Sequence, residues 1–168
     1  RMLLVVSGLP GTGKSAVARA VAERTDAVHL SIDPVENAML GAGLNKDWAT
    51  GVAAYEAVRA MAEDNLSLGR SVVVDAVNDS EAARDTWRNA ARTTGATVTF
   101  VLLTVSDPAE HRRRLEGRER GMVNVAEPSW DQVRARATAF EPWVGPCTVV
   151  DASPPLNLVV EQVIAVVA

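Results

Sequence analysis

Apolar positions fall along this chain in two alternating kinds of run. Short strand-like stretches occupy residues 2–6, where the run is unbroken, and 28–32, 71–75, 97–105 and 147–151. Continuous apolar runs of this length, bounded by glycine, proline or acid, are what strands buried on both faces of a parallel sheet require. Between them lie longer segments of helical character at 15–24, 48–68, 80–94, 129–140 and 156–167, with glycines at 69 and 95 stopping the second and third. Two further helices begin at Asp33-Pro34-Val35-Glu36 and Asp107-Pro108-Ala109-Glu110. Each has an acceptor at the N-cap, proline at the first helical position and glutamate at the capping-box spacing. Ser80 reads as a cap, and Ser129 with Gln132 as a capping pair. Strand alternates with helix throughout, which predicts the α/β class with a parallel sheet. No repeat and no low-complexity segment interrupts it. The 168 residues fit one domain, 1–168, with a polar, insertion-like stretch at about 117–128.

The first strand runs into Gly8-Leu9-Pro10-Gly11-Thr12-Gly13-Lys14-Ser15, which fits G-x-x-x-x-G-K-[ST] in full. Glycines let the backbone take positive φ and wrap its N–H groups around an anion. The helix behind adds unsatisfied N–H groups and the positive end of its dipole. Lys14 reaches β- and γ-phosphates and the Ser15 hydroxyl suits Mg²⁺. Gly8, Gly11, Thr12, Gly13, Lys14, Ser15 and Ala16 are therefore the candidate ATP-binding set. With strand before and helix after, the stretch resembles the P-loop NTPase superfamily. On that resemblance Asp75, closing the run "SVVVD", is similar to the Walker B acid that joins Ser15 at the metal. Its plain alternative is an aspartate that begins a turn.

Composition narrows the partners. Formal net charge is −4, which weighs against a protein that lives on nucleic-acid backbones. The lone Cys147 forms no internal disulfide, belongs to no Cys/His cluster, and reads as a small core residue. The apolar run at 2–6 reads as a strand and not as a leader, and the tail at 156–168 is too short to span a bilayer. A reduced, cytoplasmic setting is expected.

Two further groups point toward phosphoryl transfer. Asp33 ends the second strand, where a carboxylate can orient a hydroxyl and take its proton. As a residue pattern alone, it serves equally as a helix cap. The stretch "HRRRLEGRERG", 111–121, leads into the insertion. Arg118 and Arg120, or Arg114, are candidate cations on a lid over ATP. Their interleaving with Glu110, Glu116 and Glu119 is also what a solvated helix face looks like.

Taken in order, Lys14, Asp33, Asp75 and the lid arginines resemble the small P-loop kinases. That group includes gluconate and shikimate kinases, chloramphenicol phosphotransferases and the kinase domain of bacteriophage-type polynucleotide 5′-kinases. The resemblance implies a three-layer sandwich around a five-stranded parallel sheet of order 2-3-1-4-5, helices on both faces, and Asp33 beside an acceptor hydroxyl. By the polynucleotide-kinase likeness of "VVVDAVNDSEAARDTWRNAARTTG", Asn78 faces the active site; otherwise it is a turn former. No one arginine is assigned to adenine.

An acceptor is expected between the helix after Asp33 and the long helix after Trp48, near Asp47, Trp48, Tyr55, Glu56 and Arg59. Trp48 reads as a residue packed on its neighbour, or as a stacking platform. His29 reads as packing. The expected activity is ATP-dependent transfer to a hydroxyl of a small metabolite or antibiotic. The alternatives are a polynucleotide or nucleoside 5′-hydroxyl kinase, for which a short nucleic-acid end is the partner, and a nucleotide switch with no acceptor.

Overall fold

The computed structural model describes residues 1–168. Its elements are β1 (Met2–Ser7), α1 (Lys14–Thr25), β2 (Val28–Ser31), α2 (Ile32–Gly41), α3 (Trp48–Ser67), β3 (Val72–Ala76), α4 (Glu81–Thr94), β4 (Thr97–Thr104), α5 (Pro108–Gly117), α6 (Trp130–Ala139), β5 (Thr148–Asp151) and α7 (Leu156–Val167). The strands form one sheet of order β2-β3-β1-β4-β5, with every pairing parallel. The expected order and class are borne out.

Alternation along the strands sorts side chains to two cores. Leu4, Val6, Val73, Val101 and Leu103 pack with Val17 and Val21 of α1 and Val160 and Val163 of α7. Leu3, Val5, Val72, Val74 and Phe100 pack on the other face with Val58 and Leu66 of α3 and Trp87 of α4. β3 is buried along its whole length, whereas β2 and β5, at the edges, are not. Cys147 joins the second of these cores, and burial pushes its thiol up to about 11, so it is an unreactive packing residue. No helix is long and apolar enough to cross a membrane.

Element boundaries mostly fall within a residue or two of expectation. Asp107 caps α5, Ser80 caps α4, and Ser129 with Gln132 forms a full capping box on α6. α2 differs. Its helix begins at Ile32, directly off the strand, and the N-cap is Ser31, not Asp33. No loop separates strand from helix, so Asp33 already lies inside the first turn. Its carboxylate is thereby released from capping.

The β3–α4 turn corrects a second expectation. Asn78 is fully buried with φ 53, and every polar group on it is engaged. Its Nδ2 donates to Ser7 Oγ at 2.8 Å, and its Oδ1 accepts from Trp87 Nε1 at 2.8 Å. Its N–H donates to Tyr55 Oη at 3.2 Å, and its carbonyl accepts from Arg84 Nε at 2.9 Å. Fully buried and lining none of the cavities described below, Asn78 is the turn former of the alternative reading, pinned in place. Arg84, also fully buried, continues the network to the carbonyls of Glu141 and Pro142 and lies 4.0 Å from the Trp143 ring centre. We expect Asn78→Ala to leave the Trp87 Nε1 donor and the Ser7 Oγ acceptor unpaired and to cost roughly 2–4 kcal/mol. Urea unfolding should register this as a lower midpoint at unchanged m-value.

Candidate functional site

The start of α1 is chemically unfinished. Its N-cap, Gly13 at φ 90, has no side chain to offer, and no acid stands in the first turn. The starts of α3, α4, α5 and α6 are instead closed by Asp47, Ser80, Asp107 and Ser129. Orphan N–H groups and a positive helix end are therefore left here beside the glycine loop, as an anion site requires. The loop before it is held from behind. A Cβ at Gly11 would lie 2.9 Å from Leu115 Cβ, at a φ of 86 that side chains resist. Buried Thr12 donates to the Leu9 carbonyl at 2.8 Å, and His111 Nε2 donates to the Pro10 carbonyl at 2.8 Å. His111 is itself buried, edge-on to Trp130 at 5.0 Å. Sequence reasoning missed it; only the tertiary fold of α5 onto the loop reveals it.

Lys14 is 7% exposed, and its Nζ lies 3.5 Å from the Leu9 carbonyl. Burial lowers its ammonium to about 8, against the opposing pull of Asp75 and Asp33. The next residue, Ser15, donates to Asp75 Oδ1 at 2.9 Å. The same oxygen accepts from Ser31 Oγ at 2.9 Å, and Asp75 Oδ2 meets His29 Nε2 at 2.6 Å. Register explains the cluster: Ser31 sits opposite Asp75 on β3, and His29 lies two residues earlier on the same face. His29 is thus more than the packing residue expected from sequence. Hydroxyl and carboxylate oxygens brought together are hard donors that fit Mg²⁺.

The arginines divide. Arg112 and Arg113 pair with Glu116 and Glu110 on their own helix and are exposed, as a solvated face predicts. Arg114, Arg118 and Arg120 instead line one cavity of about 410 Å³ with Lys14, Ser15, Ala16, Gly11 and Gly13. Arg114 also lines a neighbouring cavity of about 340 Å³ between Thr12, Val17 and the Pro154–Leu156 stretch. Three of its N–H groups are engaged, with Glu110 at 2.8 Å and the carbonyls of Ala152 and Ser153 at 2.6 and 2.9 Å. It enters both walls as a fixed plane.

Arg118 and Arg120 come from residues 118–129, which carry no regular structure between α5 and α6. Both donate to Glu127 at 2.7 Å, and Arg120 also donates to Asp33. Burial, and then the Arg120 charge beside it, lowers Arg118 below an ordinary guanidinium. Burial alone would raise Glu127, but the bonds from Arg120 and Arg118 outweigh it and hold the carboxyl low. The same segment is fastened to α2, where Asn124 donates its backbone N–H to Asn37 Oδ1 at 2.9 Å.

A third cavity, of about 440 Å³, opens between α2, α3 and α4 and is lined by Trp48, Tyr55, Glu36, Glu56 and Asp79 among others. The expected packing of Trp48 is overturned: the residue is 83% exposed at the first position of α3. Arg59 is not in this lining. It lies farther along α3 and donates to Glu63 at 2.9 Å. Asp47 is spent as the α3 cap.

The model of an AAA domain family matches residues 3–140. The chain belongs to that family. Its fold is that of small P-loop kinases. A gluconokinase from Sinorhizobium meliloti 1021 is similar at 23% identity over 96% of this chain and 89% of that one, with a TM-score of 0.71. A sugar kinase from Janibacter sp. HTCC2649 is similar at 17% identity, over 99% and 94%, with a TM-score of 0.73. The APS kinase of Mycobacterium tuberculosis is similar at 18% identity, over 99% and 96%, with a TM-score of 0.67. No curated protein sequence matches the chain.

The buried Lys14 ammonium makes a stability prediction. Its folded value of about 8 lies below its unfolded value of 10.5, so between those limits the unfolded chain holds more protons. Stability therefore rises with pH across that window, and below it the buried charge carries its full cost. We expect Lys14→Met to melt about 5 °C or more above wild type at pH 7, with the gap narrowing as pH rises past 8. Paired melting curves in the absence of nucleotide measure this.

Proposed function

We propose that the protein is an ATP-dependent phosphotransferase that moves the γ-phosphate onto a hydroxyl of a small molecule, with residues 118–129 serving as a lid. One observation carries the reading. Lys14, Arg114, Arg118 and Arg120 converge on the cavity at the unfinished start of α1, and Arg120 ties that cavity to Asp33. A switch that only binds nucleotide needs no carboxylate at that junction, and no second cleft one helical turn farther along α2. That the similar structures are kinases supports the same reaction class.

The loop N–H groups and Lys14 hold the phosphates and carry their charge. Ser15 and Asp75 would hold Mg²⁺, which when bound neutralises charge across the β- and γ-phosphates. Arg118 and Arg120 stabilise the charge on the transferring group and, with the lid down, keep water from competing. Asp33 orients the acceptor hydroxyl and takes its proton as the new oxygen–phosphorus bond forms and the β–γ bridging bond breaks. Phosphate oxygens compete for the Arg120 guanidinium, so Asp33 is uncovered when the donor is seated. The 340 Å³ cavity beside Arg114 is where the base fits.

The small-molecule reading is favoured over a polynucleotide 5′-kinase by the carboxylates Glu36, Glu56 and Asp79 in the cleft wall, which repel a phosphodiester backbone. Incubation with labelled ATP, a panel of hydroxyl compounds and a 5′-hydroxyl oligonucleotide tests this. Label should move to a small molecule; label on the oligonucleotide alone would shift the assignment to the 5′-kinase, and slow hydrolysis with no product to the switch. Lys14→Ala should abolish transfer. Asp33→Asn should leave nucleotide affinity nearly intact, because Asp33 lies inside the first turn of α2 and does not cap it, while kcat falls by roughly 10²-fold.

A further inference from the structure

The cleft between α2, α3 and α4 has the charge balance of a cation site. Three carboxylates line it, Glu36, Glu56 and Asp79, against one guanidinium, Arg136. Arg136 is already taken, donating to Asp79 at 2.7 Å from across the cleft. Glu36 has no ion-pair partner. Glu56 has only a 3.7 Å approach from Arg59, which itself is bound more closely to Glu63 at 2.9 Å. Neither lysine of the chain, Lys14 or the exposed Lys46, lines the cleft. An anionic acceptor would find no free cation here.

The aromatic groups point to the same kind of ligand. Trp48, 83% exposed at the mouth, presents an indole with no protein partner. Indole faces attract ammonium and quaternary nitrogen. Deeper in, Tyr55 Oη accepts from the Asn78 N–H, and no acceptor engages its own proton. Burial pushes its phenol up to about 12, so it remains an O–H that can donate to a ligand hydroxyl. Gly51, on the cleft wall, leaves open space where a Cβ would stand. Glu36 is three residues after Asp33 on α2, hence on the same face one turn along. A molecule held at Trp48 and Glu36 by its positive nitrogen extends toward Asp33.

We propose that the acceptor is a hydroxyl-bearing cation, an amino alcohol or amino sugar, held by Trp48, Glu36 and Glu56 with its hydroxyl toward Asp33. The hydroxyl in this statement rests on the phosphotransferase reading; the positive charge rests on the cleft alone.

The test uses the full chain and four probes that differ in charge: choline and glucosamine as cations, glucose as the neutral control and gluconate as the anion. Equilibrium binding by calorimetry is measured for wild type, Lys14→Ala and the Glu36→Gln/Glu56→Gln pair. Neither glutamate is buried, so the double variant should fold. Glucosamine should bind at least about fivefold more tightly than glucose, and gluconate more weakly than either. Choline should bind through its nitrogen. The order should survive Lys14→Ala and collapse in the double variant. Equal or tighter binding of gluconate, or no advantage of cation over neutral sugar, silence from all four included, overturns the proposal. Transfer assays on the same probes keep the two readings apart. Charge-ordered binding without a phosphorylated product would sink the phosphotransferase and leave the cation cleft standing. Efficient transfer to glucose or gluconate, with no gain for glucosamine, would do the reverse.

Discussion

The parallel pairing of β1 with β3 is the constraint on which the site depends. In its register Val6 stands beside Asp75 and Ser7 beside Ala76, so the glycine loop leaves the sheet one residue from the acid that faces it. Both strands are buried, and buried backbone leaves its ladder only at large cost. Everything polar at this edge is consequently placed by a very apolar structure. β2 then docks on β3 and delivers Ser31 and His29 to the same carboxylate. Three residues from two elements, Ser15 of α1 and His29 and Ser31 of β2, are fixed around Asp75 without a flexible loop among them.

Charge is segregated about that edge. Guanidiniums gather on the side of the glycine loop, where the α1 start is left open. Carboxylates gather one helix away, where Trp48 is left bare. Asp33 and Arg120 stand at the boundary and neutralise each other. A polyanion and a cation brought to the two sides would meet there, each favoured on its own side and disfavoured on the other. With a net charge of only −4 over the chain, it is this separation and not the total that distinguishes the surface.

Much of the architecture was legible in the sequence because its signals are local. Unbroken valine and leucine runs mean strands buried on both faces, and Ser129 with Gln132 is a cap within four residues. The glycine loop is legible for the same reason. What escaped is tertiary. Asp33 carries a helix-start pattern, yet β2 runs straight into α2 and moves the cap to Ser31, a matter of two residues that decides whether the carboxylate is free. Asn78 resembles an active-site residue by its neighbours in sequence, but the Ser7 hydroxyl that captures it is 71 positions away. Trp48 is apolar and was expected to pack; nothing local says that no neighbour covers it. Arg112, Arg113 and Arg114 are adjacent and chemically identical, and only the docking of α5 against the loop, Leu115 on Gly11, decides which of them meets a cavity wall.

The segment bearing Arg118 and Arg120 is fastened to α2 at two points, through Arg120 to Asp33 and through Asn124 to Asn37. Those anchors are four residues apart, one turn on a single helical face. In this state the segment cannot move without pulling on the helix that forms one wall of the neighbouring cleft. Were donor phosphates to draw Arg120 from Asp33, the change would be felt in that wall. Any affinity one compartment gained or lost by it would pass equally to the other, by thermodynamic reciprocity.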